Sequence, residues 1–333
     1  MRALRLVEFG DPPRFELDQV PDPEPGPGEV VIALQAAALN RRDPWVWTTP
    51  AYCSLPVTLG SDGAGVVAAV GPGVSHPAVG DEVIFDPTLA WGESDEHPTD
   101  AFDIVGAPLD GTFAEQIVVP MANVALKPVR LSWVQAAALN LGGLTAWRAT
   151  VTCAGAAPGR SILVTGAGSG VSTFAVQIAV ALGARVYVTS STTEKLDRAL
   201  ALGAVGGVSY LDSDWSEQVC ELAGGGLDAA IDSYGGPSWD SALRSLRSGG
   251  TLVSFGDTSG PATTLTTAEV YWQWRRIVGT SMGSPREYRA MVQHVSEARW
   301  EPVIDSVFRL EDYAAAIARL LDPARFGKVV FTV

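Results

Sequence analysis

Residues 161–172 read SILVTGAGSGVS, and this stretch restricts the fold more than any other. An apolar strand-length run, a turn holding Gly166, Gly168 and Gly170, and a helix-length segment follow one another without spacing. The backbone must turn within a few residues, and only small residues permit that. The pattern then recurs. Residues 185–190, 229–233, 251–255 and 277–281 are apolar runs with strand character, and residues 171–182, 193–202 and 238–247 are helix-length. Near-continuous apolar strands alternating with helices predict an α/β fold with a parallel sheet covered on both faces. They exclude an all-helical or all-β chain.

The flanks differ. Residues 4–7, 29–39, 65–70, 82–85, 113–119 and 124–127 are short apolar runs bounded by Gly, Pro or Asp, which predicts a compact, barrel-like β domain. Helices are expected at 131–139, with Ser132 as N-cap, and at 144–153. Beyond the sheet, helices at 285–298 and 311–321 and strands at 303–308 and 328–333 are expected to return to the first domain. The 333 residues hold 47% hydrophobic and 18% charged residues, enough apolar content for large cores and too much for disorder. The net charge of −14 opposes a nucleic-acid or anionic membrane partner. Cys53, Cys153 and Cys220 form no C-x-x-C pair, so neither a disulfide framework nor an all-cysteine zinc site is expected. No apolar run approaches the roughly 20 residues of a membrane span, and no signal pattern opens the sequence. A soluble cytoplasmic protein is the expectation. Residues 86–110 form a long acidic loop, read as a solvated segment.

The glycine turn carries chemistry. Gly166, Gly168, Ser169, Gly170 and Val171 bring backbone N–H groups and the positive end of a helix to one place, which suits a pyrophosphate. The third small position is Ser172, so a slightly looser helix–strand approach is expected there. The following strand ends in Ser190 and Ser191, where an NAD site usually places an acid for the ribose 2′-hydroxyl. Lys195 and Arg198 come one to two turns later, and Tyr210 follows. Hydroxyls and cations suit a 2′-phosphate, so NADP(H) is the expected cofactor. Phe255 and Gly256, at the end of a later strand, complete the expected cofactor set.

With these elements in order, the whole chain resembles the medium-chain dehydrogenase/reductase superfamily. The motifs that carry the resemblance are PGPGE at 25–29, ALNRRD at 38–43, GSDGAGVV at 60–67, VGDEV at 79–83, GTFAE at 111–115, LTAW at 144–147 and FGKVV at 326–330. The branch they resemble is the zinc-free one of quinone oxidoreductases and enoyl or alkenal reductases. The resemblance implies a GroES-like β-rich catalytic domain from residues 1–127 and 283–333, and a Rossmann NADP(H)-binding domain from 128–282. It implies a homodimer paired through the last strand of the Rossmann sheet. Zinc-dependent members carry a Cys where this chain has Asn40, and G-H-E where it has Gly60-Ser61-Asp62. Asn and Ser are poor zinc ligands, so no metal is expected.

Without a Lewis acid, hydride donation to an acceptor whose own carbonyl delocalises the charge is the easier chemistry. The expected activity is NADPH-dependent reduction of a quinone, an enone or enal, or an enoyl thioester. By family position Asn40, Tyr52 and Thr145 are candidate catalytic residues, and Lys328 is placed near the cofactor. Each has a plainer reading: a turn residue for Asn40, a wall aromatic for Tyr52, a packing residue for Thr145, a surface lysine for Lys328. The NLGG segment at 140–143 departs from the family and places Asn140 and a Gly pair by the expected pocket. Trp45, Trp91 and Trp272 are candidates for an aromatic pocket or a subunit contact. Two other functions stay open: a zinc-free carbonyl reductase or specialised biosynthetic oxidoreductase, and a catalytically weak NADPH-binding sensor or structural protein.

Overall fold

The structure, a computed structural model, describes residues 1–236, 238–260, 263–298 and 300–333. The chain divides into two compact units, Met1–Leu144 with Gly283–Val333, and Thr145–Met282. Segment 128–144, expected to open the nucleotide domain, therefore belongs to the first unit. The reason is local: the Asn140 amide donates to the Gly63 carbonyl at 2.8 Å and the Leu141 N–H donates to Asp62 at 2.6 Å.

In the first unit the central sheet runs in the order Val124–Leu126, Glu82–Phe85, Asp62–Val70, Glu29–Ala38, Lys328–Thr332, Ile304–Arg309, and Gln116–Pro120 also pairs with Glu29–Ala38. A second sheet joins Arg14–Gln19, Arg2–Glu8 and Val57–Thr58. Strand Arg14–Gln19 escapes the sequence pattern because its residues RFELDQ are mostly polar and exposed. The chain's last strand sits inside the central sheet, antiparallel to Glu29–Ala38, with Val330 opposite Ala38. Phe331 meets Phe113 edge-on with ring centroids 5.2 Å apart, a geometry that aromatic quadrupoles favour. Leu4, Leu6, Leu59 and Trp47 complete the same core, each such side chain contributing roughly 1.5–3 kcal/mol by leaving water.

Glycine is required where the strands crowd. A Cβ on Gly65 would stand 2.1 Å from the Ala33 carbonyl oxygen. The helix Trp133–Trp147 is unbroken through Asn140 and the Gly pair, then loosens into a π-helical turn, Arg148–Cys153. The expected break at 140–143 is absent because Gly143 faces Leu139 and Met291, where a Cβ would lie 2.9 Å from each. Ser132 caps this helix as expected, its hydroxyl accepting from the Gln135 N–H at 3.3 Å.

The second unit holds one parallel sheet in the order Gly206–Ser209, Arg185–Ser190, Ser161–Val164, Leu227–Asp232, Leu246–Ser254, Arg276–Gly279. Numbered as the chain reaches them, the strands run 3-2-1-4-5-6, the doubly wound nucleotide-binding order. The topology reverses between Ser161–Val164 and Leu227–Asp232, and a ligand crevice opens at the carboxyl ends of strands at such a point. Helices Gly170–Ala181, Thr193–Ala201, Trp215–Ala223 and Ser238–Arg244 connect the strands. No helix among the described residues is long and apolar enough to cross a membrane.

The Gly65→Ala variant should lose about 1–3 kcal/mol of stability, the usual cost of overpacking a tight contact. Calorimetry is expected to show a midpoint lowered by several degrees. An unchanged midpoint would mean that the strands separate without cost.

Candidate active site

In the second unit the sequence dictates a turn that only glycine can make. Gly166 has φ +63° and Gly168 φ +127°, both strained for any side chain. The Ser169 hydroxyl then accepts from the Ser172 N–H at 3.1 Å and opens the helix Gly170–Ala181. Ser172 does not loosen the approach as expected. It is buried, and its hydroxyl donates to the Thr165 carbonyl at 3.1 Å, tying helix to strand. The loop is also fixed to the next strand: the Ala167 N–H donates to the Thr189 carbonyl at 2.8 Å, and Gly166 N–H to the Thr189 hydroxyl at 3.2 Å. Val171 lies in the first turn, where helix N–H groups lack intrahelical acceptors.

Ser190 is buried and donates to the Ala167 carbonyl at 3.3 Å. Its neighbour Ser191 is half-buried, and Thr192 caps the helix Thr193–Ala201 by accepting from the Lys195 N–H at 3.3 Å. Lys195 and Arg198 are half-buried and three residues apart, so they share one face of that helix. The Tyr210 N–H donates to the Ser190 carbonyl at 3.1 Å, and its ring lies 5.7 Å from that of Tyr234. Tyr234 borders the loop, since a Cβ on Gly166 would stand 3.9 Å from its ring. The Phe255 N–H donates to the Asp232 carbonyl at 3.1 Å, and a Cβ on Gly256 would meet the Ser233 carbonyl at 2.6 Å. The structure thus gathers Gly166, Ser190, Tyr210, Phe255 and Gly256 at the carboxyl ends of the strands.

Two residues here escaped the sequence reading, Tyr234 and Asp232. Asp232 is fully buried beside the turn. Its carboxylate accepts from the hydroxyls of Thr165 (2.6 Å) and Ser238 (3.2 Å) and from the N–H groups of Tyr234 (3.2 Å) and Gly235 (2.8 Å). Their position at the carboxyl end of the strand Leu227–Asp232, beside the topology reversal, was the available signal. Thr145 is buried with its hydroxyl 3.9 Å from the Met282 sulfur.

In the first unit a polar cluster is buried at the end of strand Glu29–Ala38. Lys328 is buried and so is no surface lysine. Its ammonium donates to Asn40 Oδ1 at 2.6 Å and to Asp62 Oδ2 at 2.8 Å, with side-chain exposures of 3% for Lys328 and 0% for Asp62. Asn40 Nδ2 donates to the same Asp62 oxygen at 2.9 Å. Asp43 Oδ2 accepts from the Asn40 backbone N–H at 2.7 Å. Burial raises the Asp43 carboxyl to about 6, against the lowering effect of that hydrogen bond and of the Arg42 and Lys328 charges. Ser61 turns away, donating to the Val105 carbonyl at 2.6 Å.

Tyr52 belongs to a second cluster. Arg42 donates to its hydroxyl at 3.0 Å, which faces Asp103 at 3.4 Å, and the ring edge meets Trp45 at 4.7 Å. Burial raises the phenol, so it keeps its proton. Trp45 is 47% exposed beside it. The other pocket candidates have the following surroundings. Asn140 is fully buried, donating to Gly63 and accepting from the Tyr288 hydroxyl at 2.8 Å. Trp91 is buried against Phe102, its indole N–H on the Ser94 carbonyl at 2.7 Å. Trp272 is 74% exposed.

Comparison with known proteins places this geometry. The family described as alcohol dehydrogenase GroES-like domain matches residues 26–129, and that described as zinc-binding dehydrogenase matches residues 170–297. YogA, a zinc-type alcohol dehydrogenase-like protein of Leptosphaeria maculans, is 39% identical over 94% of this chain and 92% of its own. The chain belongs to the medium-chain dehydrogenase/reductase superfamily. Within that superfamily, a quinone oxidoreductase of Salmonella typhimurium is 31% identical over 78% of this chain and 74% of its own. The crystal structure of an NAD-dependent alcohol dehydrogenase superposes with a TM-score of 0.94 at 40% identity, covering 100% of both chains. This medium-chain dehydrogenase/reductase is accordingly an oxidoreductase of a family that binds nicotinamide cofactors, built from a GroES-like β-rich unit and a Rossmann-type unit.

The pH dependence of Asp43 follows from its burial. The folded carboxyl keeps its proton up to about pH 6, whereas an unfolded Asp releases it near 4. The stability it contributes is full below about pH 4 and is lost as pH rises through 6. Asp43→Asn cannot ionise and keeps an acceptor for the Asn40 N–H. The stability difference between variant and wild type should therefore move in the variant's favour from about pH 4 to 6 and then level off. A difference that stays flat over that range would exclude the buried neutral carboxyl.

Proposed function

We propose that this protein is a zinc-independent, NADPH-dependent reductase that transfers hydride to an electron-poor acceptor: a quinone, an enone or enal, or an enoyl thioester. The unit Thr145–Met282 is its NADPH-binding domain and the remainder its catalytic domain. The observation that carries the reading is the Lys328 ammonium on Asp62. One name among the matching families raises zinc, so the donor set matters. Asp62 is the only carboxylate at the positions where zinc-dependent members hold their metal, and its oxygens are taken by the Leu141 N–H, the Asn40 amide and the Lys328 ammonium. Ser61 is turned to Val105, and Asn40 is a poor ligand. A cation there would have to displace a buried ammonium. These residues do not fit a catalytic zinc, and among the described residues no group of three or more His, Cys, Asp or Glu is arranged for one.

The backbone of the second unit supports a dinucleotide, and its strand end supports the choice of NADPH. The left-handed glycines leave the loop free of Cβ atoms where a pyrophosphate must approach, and the helix behind it directs N–H groups at that point. The strand end carries hydroxyls in place of an acid, and Lys195 and Arg198 bring cations one to two turns on, which favours a 2′-phosphate. Bound NADPH supplies a hydride. The chain's own residues hold the acceptor, orient its oxygen toward a hydrogen-bond donor and keep a proton at the Tyr52 hydroxyl, which burial keeps protonated. The acceptor gains one hydride and one proton, and the cofactor leaves oxidised.

A second reading rests on the 40% identical NAD-dependent alcohol dehydrogenase structure: an NAD(H)-linked alcohol or carbonyl reaction. One assay separates the two. Purified protein is given NADPH or NADH with quinones, enals, enones, enoyl thioesters and simple aldehydes, with product analysis and elemental analysis for zinc. The expected outcome is NADPH preference, a reduced C=C or quinone with simple carbonyls left intact, and no stoichiometric zinc. NADH preference overturns the reading of Ser190, Lys195 and Arg198, and stoichiometric zinc overturns metal independence.

We also propose a homodimer through strand Arg276–Gly279. Among the described residues this strand is paired on one side only, by Leu246–Ser254, and beside it Tyr271, Trp272 and Trp274 are 63%, 74% and 78% exposed. An unpaired edge flanked by exposed aromatics invites pairing with a copy of itself. Light scattering should give twice the chain mass, and Trp272→Asp with Trp274→Asp should give the monomer. A wild-type monomer would refute the interface.

A further inference from the structure

Asn40 is held at nearly every polar atom it owns. Its backbone N–H donates to Asp43 Oδ2 at 2.7 Å, and its carbonyl accepts from the Asp43 N–H at 3.0 Å. Its amide oxygen accepts from the Lys328 ammonium at 2.6 Å, and one amide N–H donates to Asp62 at 2.9 Å. The amide orientation is dictated by chemistry, because an ammonium only donates and a carboxylate only accepts. One amide N–H is left without a partner among the described residues. A group pinned at four points with one donor in reserve is more than a turn residue needs.

The pinning also polarises. An ammonium on the amide oxygen draws electron density from the amide nitrogen, which strengthens its remaining N–H as a donor. The ammonium and Asp62 together carry no net charge, so what they create is an oriented dipole. Replacing such a buried pair by apolar residues is often neutral for stability, so stability alone does not call for it.

We propose that Lys328 and Asp62 are positioning residues that clamp the Asn40 amide, presenting its remaining N–H to the acceptor's oxygen as charge develops there. In this chain the clamp does, through an oriented amide, what a bound cation does in zinc-dependent relatives. The inference rests on the reductase reading above, in which a carbonyl or quinone oxygen gains charge.

The test is a mutant cycle on the full-length protein. Lys328→Met with Asp62→Asn removes both charges together, leaving no lone buried ion. Asn40→Ala removes the donor, and Asn40→Asp keeps an acceptor for Lys328 but has no N–H. Each variant is measured for kcat and KM with the acceptor that the wild type reduces best, for NADPH affinity by fluorescence, and for thermal midpoint. Losing one such donor costs roughly 10²-fold or more in kcat. Asn40→Ala and Asn40→Asp should each show that loss with NADPH affinity unchanged. The Lys328/Asp62 pair should show a loss of similar size, and none further when added to Asn40→Ala. Losses that multiply, an Asn40→Asp variant that keeps full kcat, or a charge-free pair with wild-type kcat would each overturn the clamp. Should the charge-free pair fail to fold, Asn40→Asp alone still decides. A wild type that reduces none of the acceptors overturns the reductase reading and the clamp with it, whereas an active wild type with multiplying losses overturns the clamp alone.

Discussion

The carboxylate of Asp62 is the point on which the first unit turns. It is fully buried, and an ion so placed is costly unless it is paired and hydrogen-bonded. Its three donors come from separate parts of the chain: Asn40 just past strand Glu29–Ala38, Leu141 in the helix Trp133–Trp147, and Lys328 at the start of the last strand. All three must be in place together. The register of Lys328–Thr332 against Glu29–Ala38 and the seating of the long helix are therefore fixed by one anion as well as by apolar packing.

The second unit repeats the device with neutral donors. Asp232 is also fully buried, and hydroxyls and N–H groups satisfy it without a counter-charge. It ties Thr165, the residue before the glycine turn, to the start of helix Ser238–Arg244. In each unit a buried carboxylate lies directly beside the elements to which we assign function, and it fixes backbone rather than side chains alone.

How much of this the sequence carried differed by element. The parallel sheet was legible because Ser161–Val164, Arg185–Ser190 and Leu227–Asp232 each hold an apolar stretch (SILV, VYV and AAI), and the glycine turn because its backbone conformations forbid side chains. Strand Gly206–Ser209 was missed because GGVS has little strand propensity of its own and is held by its neighbour. The Gly pair at 142–143 was left between two expected helices, since local propensity cannot register that Met291 packs against Gly143. Asn40 and Lys328 were both singled out, yet their bond spans 288 positions, and no local pattern announces a partner so distant. Tyr234 and Asp232 were missed because a strand end looks ordinary until the strand order is known.

The place of Lys328 in the chain orders events during synthesis. Its counter-ion Asp62 precedes it by 266 positions, with the whole Rossmann-type unit between them. A nascent chain therefore carries an Asp62 without its ammonium partner until residue 328 has been made. Any product that stops short of residue 328 therefore leaves Asp62 without its counter-ion, at the place where strand Lys328–Thr332 pairs with Glu29–Ala38.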